Sequence, residues 1–334
     1  MTNIYDVAKS AGVSRSTVSR VLNDSVSVSE ETRQKVLNII KKLNYNPNSA
    51  ARSLALKKNN TIAVISGYML NDPFFSNVAE GIYKTADKMG YGTIFCVNQK
   101  DTNSNVHYFN MLFGKVDGIV FLGYDSVLRA ELLKFLDVNF PVVLFENDAK
   151  IPGILEINID NYTGAYIATR HLIQQGHQKI AHIKGIDYFE SRERLKGYMQ
   201  ALTDYNIKFD EKLVVDGHFD FKLAYEKADE IIKKDITAVF CANDMMAFGF
   251  IKKANELGYK IPDDISVVGF DDISNSNSSF FMSSINITTI RQPVMEMAEY
   301  TAMALIQNIE NGVIMENKVF MPVLVEREST KNII

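Results

Sequence analysis

The chain has 334 residues, of which 46% are hydrophobic and 23% charged, and its formal net charge is −4. This length allows two or three compact units, and the composition is that of an ordinary folded protein, not of a disordered or fibrous one. The sequence contains neither an apolar stretch of the roughly 18–20 residues that cross a bilayer nor the basic and apolar segments of a secretory signal. We therefore expect a cytoplasmic protein with no membrane contact.

The charges are distributed unevenly along the chain. Residues 1–60 contain ten Lys and Arg side chains and four acidic ones, a net charge of +6, so the remaining residues carry −10. A basic first segment ahead of an acidic body is expected when only that segment meets phosphate groups. Cys96 and Cys241 lie far apart and outside any metal-binding spacing, which predicts two core thiols in a reducing compartment.

The first 45 residues predict short helices and no strand. Apolar residues at helical spacing define a first helix that Gly12 ends, and Ser14 is a suitable N-cap for a second helix over 15–22. Ser29 caps a third helix that runs to about Leu43. Two short helices joined by a glycine-containing turn form a helix-turn-helix.

A connecting segment follows at residues 46–59. Its central part, NSAARSLAL at 48–56, has a helix-forming composition but is too short to be stably helical alone in water. We expect it to fold only when DNA and a second copy of the segment support it.

From Thr61 onward, short β-branched runs alternate with amphipathic helical stretches, which predicts two series of βα units. The predicted strands lie at 61–66, 92–97, 117–122 and 141–145 in the first series, and at 179–184, 213–216, 237–241 and 265–269 in the second. A helix near 162–175 joins the series, and a helix near 293–311 precedes a last apolar run at 319–325. The pattern predicts an α/β body with two similar lobes of four strands each.

The motifs of the chain resemble one known family from end to end. The sequence IYDVAKSAGVSRSTVSRVLN at residues 4–23 closely resembles the N-terminal signature of the LacI/GalR repressor family. The resemblance continues, in order, through a hinge-like YNPNSAARSL at 45–54, DPFF at 72–75, DN at 160–161, RLKGY at 194–198, AND at 242–244 and VGFDD at 268–272.

This resemblance implies the domain organisation. It assigns a helix-turn-helix DNA-binding domain to 1–45, a hinge to 46–59, and a two-lobed, periplasmic-binding-protein-like α/β/α body with parallel sheets to 60–334. Within the body, we expect lobe 1 at about 60–160 plus 293–320 and lobe 2 at about 162–289 plus 322–330.

The second helix of such a head enters the major groove of DNA with its N-terminal residues. We expect Arg15, Ser16 and Arg20 to meet base edges, where arginine can bond bidentately to guanine. An alternative is that Arg15 contacts only phosphate. Small polar side chains are expected to contact phosphates: Ser14, Thr17, Ser19 and Asn23.

In the hinge, the resemblance implies that Leu54 wedges between base pairs in the minor groove and kinks the operator. The alternative is that Leu54 serves only as hydrophobic packing. Arg52, in the same segment, is also assigned to DNA binding.

A ligand of the body is expected beyond the carboxyl ends of the strands. Carboxylates, an amide and an arginine there can bond the hydroxyl groups of a sugar, while an aromatic ring covers its apolar side. The predicted effector residues are Asp72, Phe74, Asn147, Asp160, Arg194, Phe219, Asn243 and Asp271. The resemblance supplies the assignment of Phe219, and the lobe interface is the expected place of Asn147 and Asp160. The alternative for each acid is that it only caps a helix.

The predicted function is repression of carbohydrate-utilisation genes by a dimer that a small sugar releases from operator DNA. One alternative is a catabolite-type regulator with a phosphorylated carrier protein as corepressor, but residues 294–309 lack the Lys and Arg that such members present. The other alternative is a purine-responsive repressor. Tetrameric members carry a leucine heptad after the body, and because this chain has none we expect a dimer.

No enzyme is predicted. The sequence has no phosphate loop, dinucleotide fingerprint or nucleophile elbow. His171, His177 and His182 lack the spacing of a metal site, so neither a cofactor nor a metal is expected.

Overall fold

A computed structural model describes residues 2–22, 27–45, 58–66, 72–97, 111–123, 139–273 and 285–334. The chain divides into two compact units, residues 1–59 and 60–334. Among the described residues, no helix is both long enough and apolar enough to span a membrane.

The described part of the first unit contains α1 (Ile4–Ala11), α2 (Arg15–Leu22) and α3 (Glu30–Lys42). α1 begins at a capping box between Asn3 and Asp6 and ends at Gly12, whose φ of 64° lies in the left-handed region that glycine adopts freely. The three helices enclose a small apolar core of Val7, Ala8, Ala11, Val18, Val21 and Val36. The predicted helix-turn-helix is therefore present.

The second unit alternates strands and helices. In chain order its elements are β1 (Thr61–Ser66), α4 (Pro73–Lys88), β2 (Gly92–Val97), β3 (Gly118–Leu122), β4 (Val142–Phe145), β5 (Leu155–Ile159), α5 (Asn161–Gln174), β6 (Ile180–Lys184), α6 (Phe189–Asp204), β7 (Val214–Asp216), α7 (Phe221–Ile232), β8 (Ala238–Cys241), α8 (Asp244–Glu256), β9 (Ser266–Asp271), β10 (Thr288–Arg291), α9 (Val294–Asn311), β11 (Lys318–Phe320) and β12 (Val323–Val325). Four of these helices begin at Asp or Asn side chains that accept a hydrogen bond from the first turn: Asp72, Asp160, Asp220 and Asn243.

The strands form two sheets. Sheet 1 has the order β11-β5-β4-β3-β1-β2, and sheet 2 has the order β12-β10-β9-β8-β6-β7. All neighbouring strands are parallel except β10 and β12. Helices α4 and α9 pack on sheet 1 to form lobe 1, and helices α5 to α8 pack on sheet 2 to form lobe 2. The α/β fold with parallel sheets is the one predicted.

The prediction of four strands in each lobe was wrong, because each sheet contains six strands among the described residues. β5 and β10 were missed because polar residues interrupt their apolar pattern, as Glu156 and Thr289 do, yet both side chains are buried. The last apolar run, 319–325, contains two strands on either side of Pro322: β11 belongs to sheet 1 and β12 to sheet 2.

Candidate functional site

A cavity that is open to solvent lies between the two lobes of the second unit, and its volume, with the open solvent included, is about 440 Å³. It is lined by Asp72, Phe74, Phe75, Gly123, Glu146, Glu190, Arg194, Phe219, Asn243 and Asp271. Each of these residues ends a parallel strand or belongs to the segment that follows one. Ligands of open parallel sheets bind at this position.

Six of the eight predicted effector residues line this cavity. They are Asp72, Phe74, Arg194, Phe219, Asn243 and Asp271. They come from five separate strand–helix segments, and the carboxyl ends of two sheets bring them together.

Arg194, on α6, is the cationic centre of the lining and is only 4% exposed. Its Nε donates a hydrogen bond to Oδ1 of Asn161 at 2.8 Å, and its Nη1 donates to the carbonyl oxygen of Ala242. Nη1 also lies 3.7 Å from Oδ1 of Asp271, and the guanidinium carbon lies 3.6 Å from the ring centroid of Phe270. These contacts hold a buried charge in one orientation, as a buried ion pair requires.

Asn161 connects this arginine to a buried carboxyl group of lobe 1. Its Nδ2 donates to Oε2 of Glu146 at 2.7 Å, and Oε1 of Glu146 accepts a hydrogen bond from the N–H of Ile159 at 2.6 Å. Burial raises the pKa of Glu146 to about 7, although the hydrogen bond from Asn161 opposes the rise. A nearby carboxylate, that of Glu190, raises this pKa further.

Two more carboxyl groups face the cavity. Burial raises the pKa of Asp271 well above its ordinary value, while the charge of Arg194 acts against the rise. Oδ1 of Asp271 accepts a hydrogen bond from Nε2 of Gln292 at 2.7 Å. Burial also raises the pKa of Asp72, whose Oδ1 accepts hydrogen bonds from two backbone N–H groups at the start of α4.

Aromatic rings form the apolar part of the lining. Phe74 and Phe75 meet edge to face, with ring centroids 5.2 Å apart and planes at 87°. The ring of Phe219 lies directly against Gly185, where a Cβ atom would stand 2.1 Å from Cζ of the ring. Phe219 therefore reaches the cavity only because residue 185 has no side chain.

Two predicted effector residues lie outside the lining. Asp160 caps α5, accepting hydrogen bonds from the N–H of Thr163 at 2.8 Å and from its hydroxyl at 2.7 Å. Asn147 is 1% exposed, and its backbone N–H and carbonyl bond the side chain of Asn158. Asp160 therefore caps a helix, which is the alternative given above for each predicted acid.

Four lining residues were not predicted: Phe75, Gly123, Glu146 and Glu190. The rule that selected the others, a position just after a predicted strand, also applies to Gly123 and Glu146. Glu190 had a weaker signal, because it stands one turn before Arg194 on the helix that follows β6.

The described part of the first unit presents six of the side chains predicted to contact DNA on or beside α2. Arg15, Ser16 and Arg20 are exposed, whereas Val18 and Val21 on the opposite side are buried. Oγ of Ser14 accepts a hydrogen bond from the N–H of Thr17 at 3.1 Å, as an N-cap does. An exposed polar face on a short helix with a buried apolar side is the form that a recognition helix needs.

Arg15 is held by α1. Its Nη1 donates to the hydroxyl oxygen of Tyr5 at 2.8 Å, and its guanidinium carbon lies 4.4 Å from the ring centroid of Tyr5. Thr17 and Ser19 are half-buried. The other predicted DNA contacts, Asn23, Arg52 and Leu54, lie outside the described residues.

The part of the chain that the structure describes holds no group of three or more His, Cys, Asp or Glu side chains placed to bind a metal ion. His177 accepts or donates hydrogen bonds with the hydroxyls of Thr237 and Ser266 at 3.0 and 2.9 Å. This histidine joins elements of lobe 2 and does not line the cavity.

Comparison with known proteins finds a family match in each of the two units. Residues 3–48 match the family described as bacterial regulatory proteins, lacI family, and residues 169–330 match the periplasmic binding protein-like domain. The transcriptional regulator DegA of Bacillus subtilis is 34% identical, with 98% of each chain covered. The transcriptional repressor PurR of Vibrio atlanticus is 36% identical over the full length of both chains.

Solved structures agree with these relatives. The lac repressor dimer bound to operator and the anti-inducer ONPF matches with a TM-score of 0.87 and 29% identity, over 99% of each chain. The transcriptional regulator CelR in complex with cellobiose matches with a TM-score of 0.74 and 28% identity, over 98% of this chain and 100% of that one.

Proposed function

Because the chain belongs to the LacI family of bacterial regulatory proteins, we propose that it represses carbohydrate-utilisation genes and leaves its operator when a small sugar binds between its lobes. Membership in this family makes the chain a DNA-binding transcriptional regulator and not an enzyme. The sugar, the direction of the response and the dimeric, cytoplasmic state of the protein are parts of the proposal.

The observation that carries the sugar assignment is the combination of groups around the cavity. Arg194, Asn243 and Asp271 offer donors and acceptors, and Phe74 and Phe219 offer flat apolar surfaces. A sugar ring needs both, because its hydroxyl groups project around its edge while its C–H groups form apolar faces. CelR bound to cellobiose is a full-length structural relative with a sugar ligand.

Release from DNA follows from the position of the cavity between two lobes. A ligand that touches both lobes favours one angle between them, and the lobes carry the hinge segments of a dimer. We propose that this angle changes the separation of the two hinges and therefore their folding on DNA. The coupling is reciprocal, so operator DNA must weaken sugar binding by the same factor.

A phosphorylated carrier protein as corepressor is a poorer fit. The residues of α9 include no Lys or Arg, and its exposed side chains include Glu296, Glu299 and Glu310. An acidic helix repels a phosphorylated partner, whereas basic side chains would attract it.

The test is a thermal-shift screen of the full chain against mono- and disaccharides and, separately, purine bases. A ligand that binds only the folded state raises the melting temperature by mass action. We expect one sugar to give a clear shift and to lower affinity for operator DNA selected from a random library. A shift with a purine base alone would contradict the sugar assignment but not the assignment of the chain as a DNA-binding regulator.

Two variants separate the two activities. Arg194→Ala is expected to abolish the sugar-induced shift, whereas Arg170→Ala, on α5 outside the cavity lining, should preserve it. Leu54→Ala is expected to weaken operator binding strongly while sugar binding is unchanged. Loss of both activities in the Leu54 variant would contradict the role assigned to the hinge.

A further inference from the structure

The charges that line the cavity are strongly unbalanced. Of the ten lining residues, four carry carboxyl groups, namely Asp72, Glu146, Glu190 and Asp271, and among the described residues only Arg194 contributes a cation. A cavity between packed lobes screens charges less than water does. A charged group on a ligand would therefore interact strongly with these five side chains.

Arg194, the one cation among the described lining residues, is already bonded within the protein. Two of the three guanidinium nitrogens of Arg194 are bound to Asn161 and to the carbonyl of Ala242, and Nη1 lies 3.7 Å from the carboxylate of Asp271. A bidentate clamp on a phosphate or carboxylate group uses two N–H groups along one edge of the planar guanidinium. The Nε–Nη2 edge of Arg194 is taken by Asn161, and on the other edge Nη1 already donates to the carbonyl of Ala242.

Two of the helix N-termini at the cavity, those of α4 and α8, are occupied by side chains. Backbone N–H groups at the start of a helix are a common phosphate site. At α4, these groups donate to the carboxylate of Asp72, at 2.9 Å from Phe74 and 3.4 Å from Phe75. At α8, the N–H of Met246 donates to Oδ1 of Asn243 at 2.9 Å.

We propose that the cavity selects an effector that is rich in hydrogen-bond donors and carries no negative charge, such as an unmodified sugar or a protonated amino sugar, and excludes phosphorylated and carboxylated sugars. Wherever one of these carboxyl groups is ionised it only accepts hydrogen bonds, so it pairs with hydroxyl and ammonium groups and repels phosphate oxygens, which also only accept. This inference rests on the proposed sugar effector and narrows its chemical class.

The protonation of the carboxyl groups supports the same conclusion. Burial already raises the pKa values of Asp72, Glu146 and Asp271. An anionic ligand would raise them further and would have to be bound together with protons, whereas an ammonium group would lower them.

The experiment compares matched ligands on the full chain. Each common hexose is offered in three forms, unmodified, as its 2-amino derivative and as its 6-phosphate, and apparent Kd values are derived from thermal shifts at increasing concentration. We expect the phosphorylated form to bind at least tenfold more weakly than the unmodified one, equivalent to about 1.4 kcal/mol. Equal or tighter binding of a 6-phosphate would overturn the inference and leave the proposed sugar response standing. If no form of any sugar bound, the result would contradict both the proposed sugar effector and this inference.

Variants test whether charge is the cause. Asp72→Asn removes one charge but keeps a side chain that caps α4 well, and Glu190→Gln removes another. Each should reduce the preference for the unmodified sugar over its phosphate. Glu193→Gln, on the same helix but outside the lining, makes the same change in net charge and should leave the preference unaltered. An unchanged preference in both cavity variants would show that charge does not select the effector.

Discussion

Oδ1 of Asn161 accepts a hydrogen bond from Nε of Arg194 at 2.8 Å, and this bond joins the first residue of α5 to the charged centre of the cavity. Through its Nδ2, the same amide donates to Glu146 in lobe 1. Asn161 is 1% exposed and stands where the chain first crosses from lobe 1 to lobe 2. Its side chain therefore orients the arginine and links the two lobes at once.

Replacement of Asn161 by alanine is expected to weaken sugar binding about tenfold or more. The change leaves a buried guanidinium N–H and a buried carboxylate without their shared partner, which costs about 1–3 kcal/mol. Titration of the most effective sugar, monitored by calorimetry, measures the loss.

Asn158→Ala is the matched control for this prediction. Asn158 also makes two hydrogen bonds with its side-chain amide, both to the backbone of Asn147. Its loss should lower the free energy of unfolding in denaturant titrations and leave sugar affinity unchanged. Equal loss of affinity in the two variants would mean that general destabilisation, not the orientation of Arg194, reduces binding.

Gly185→Ala is expected to displace the ring of Phe219 from the cavity. The new methyl group would stand 2.1 Å from Cζ of the ring, and a phenyl ring can move aside more readily than backbone. Loss of one aromatic face should reduce sugar affinity by about 0.5–1.5 kcal/mol. In Gly92→Ala the nearest atom would be 3.7 Å away, so affinity should be retained. Wild-type affinity in the Gly185 variant would show that the ring plays no part in binding.

Glu146 is expected to make folding stability depend on pH. Its folded-state pKa of about 7 exceeds its ordinary value of 4.5, so the folded protein binds this proton more tightly than the unfolded chain does. The associated stability is fully present below about pH 4.5 and is lost as pH rises through about 7.

Glu146→Gln removes that dependence. The free energy of unfolding of the variant minus that of the wild type should therefore rise between pH 4.5 and 7, by about 3 kcal/mol in total, and then remain constant. Urea titrations at half-unit pH intervals measure this difference. A difference that is independent of pH would contradict the raised pKa.

Asp148 and Arg192 form an ion pair between the lobes, with Nη2 3.2 Å from Oδ2 and both side chains about half exposed. Exposed pairs of this kind contribute about 0.2–1 kcal/mol. A double-mutant cycle with alanine at both positions should give a coupling free energy in that range at low salt and close to zero at about 1 M salt. A coupling that persists at high salt would require a contribution other than charge.

Arg15→Ala is expected to relax operator specificity at one base pair. Loss of a bidentate contact with guanine costs about 1–3 kcal/mol at that position and leaves other positions unaffected. Selection of binding sites from random DNA, with wild type and variant side by side, measures the preference. A uniform loss over all sequences, with a salt dependence smaller by about one ion, would instead assign Arg15 to a phosphate.

Much of the cavity could be predicted because its residues obey a local rule. Asp72, Asn243 and Asp271 each stand at or just beyond the end of an apolar strand, and the carboxyl ends of parallel strands share an edge. Asn147 also follows a strand, but its backbone pairs with Asn158 and it does not line the cavity. A position along the chain does not determine which way a side chain points.

The sequence by itself determined the helix-turn-helix, the alternation of strands and helices, and the chemical types of the groups beyond the strands, because periodicity, capping and strand ends are local properties. Only the tertiary structure decided how these groups combine. The bond from Arg194 to Asn161 spans 33 residues, and that from Asn161 to Glu146 spans 15 and crosses between lobes. The packing of the two lobes also buries the carboxyl groups, and this burial raises their pKa values. It brings four acids and one described cation together in the lining. Desolvation depends on all the chain segments packed around a group, and no local pattern encodes it.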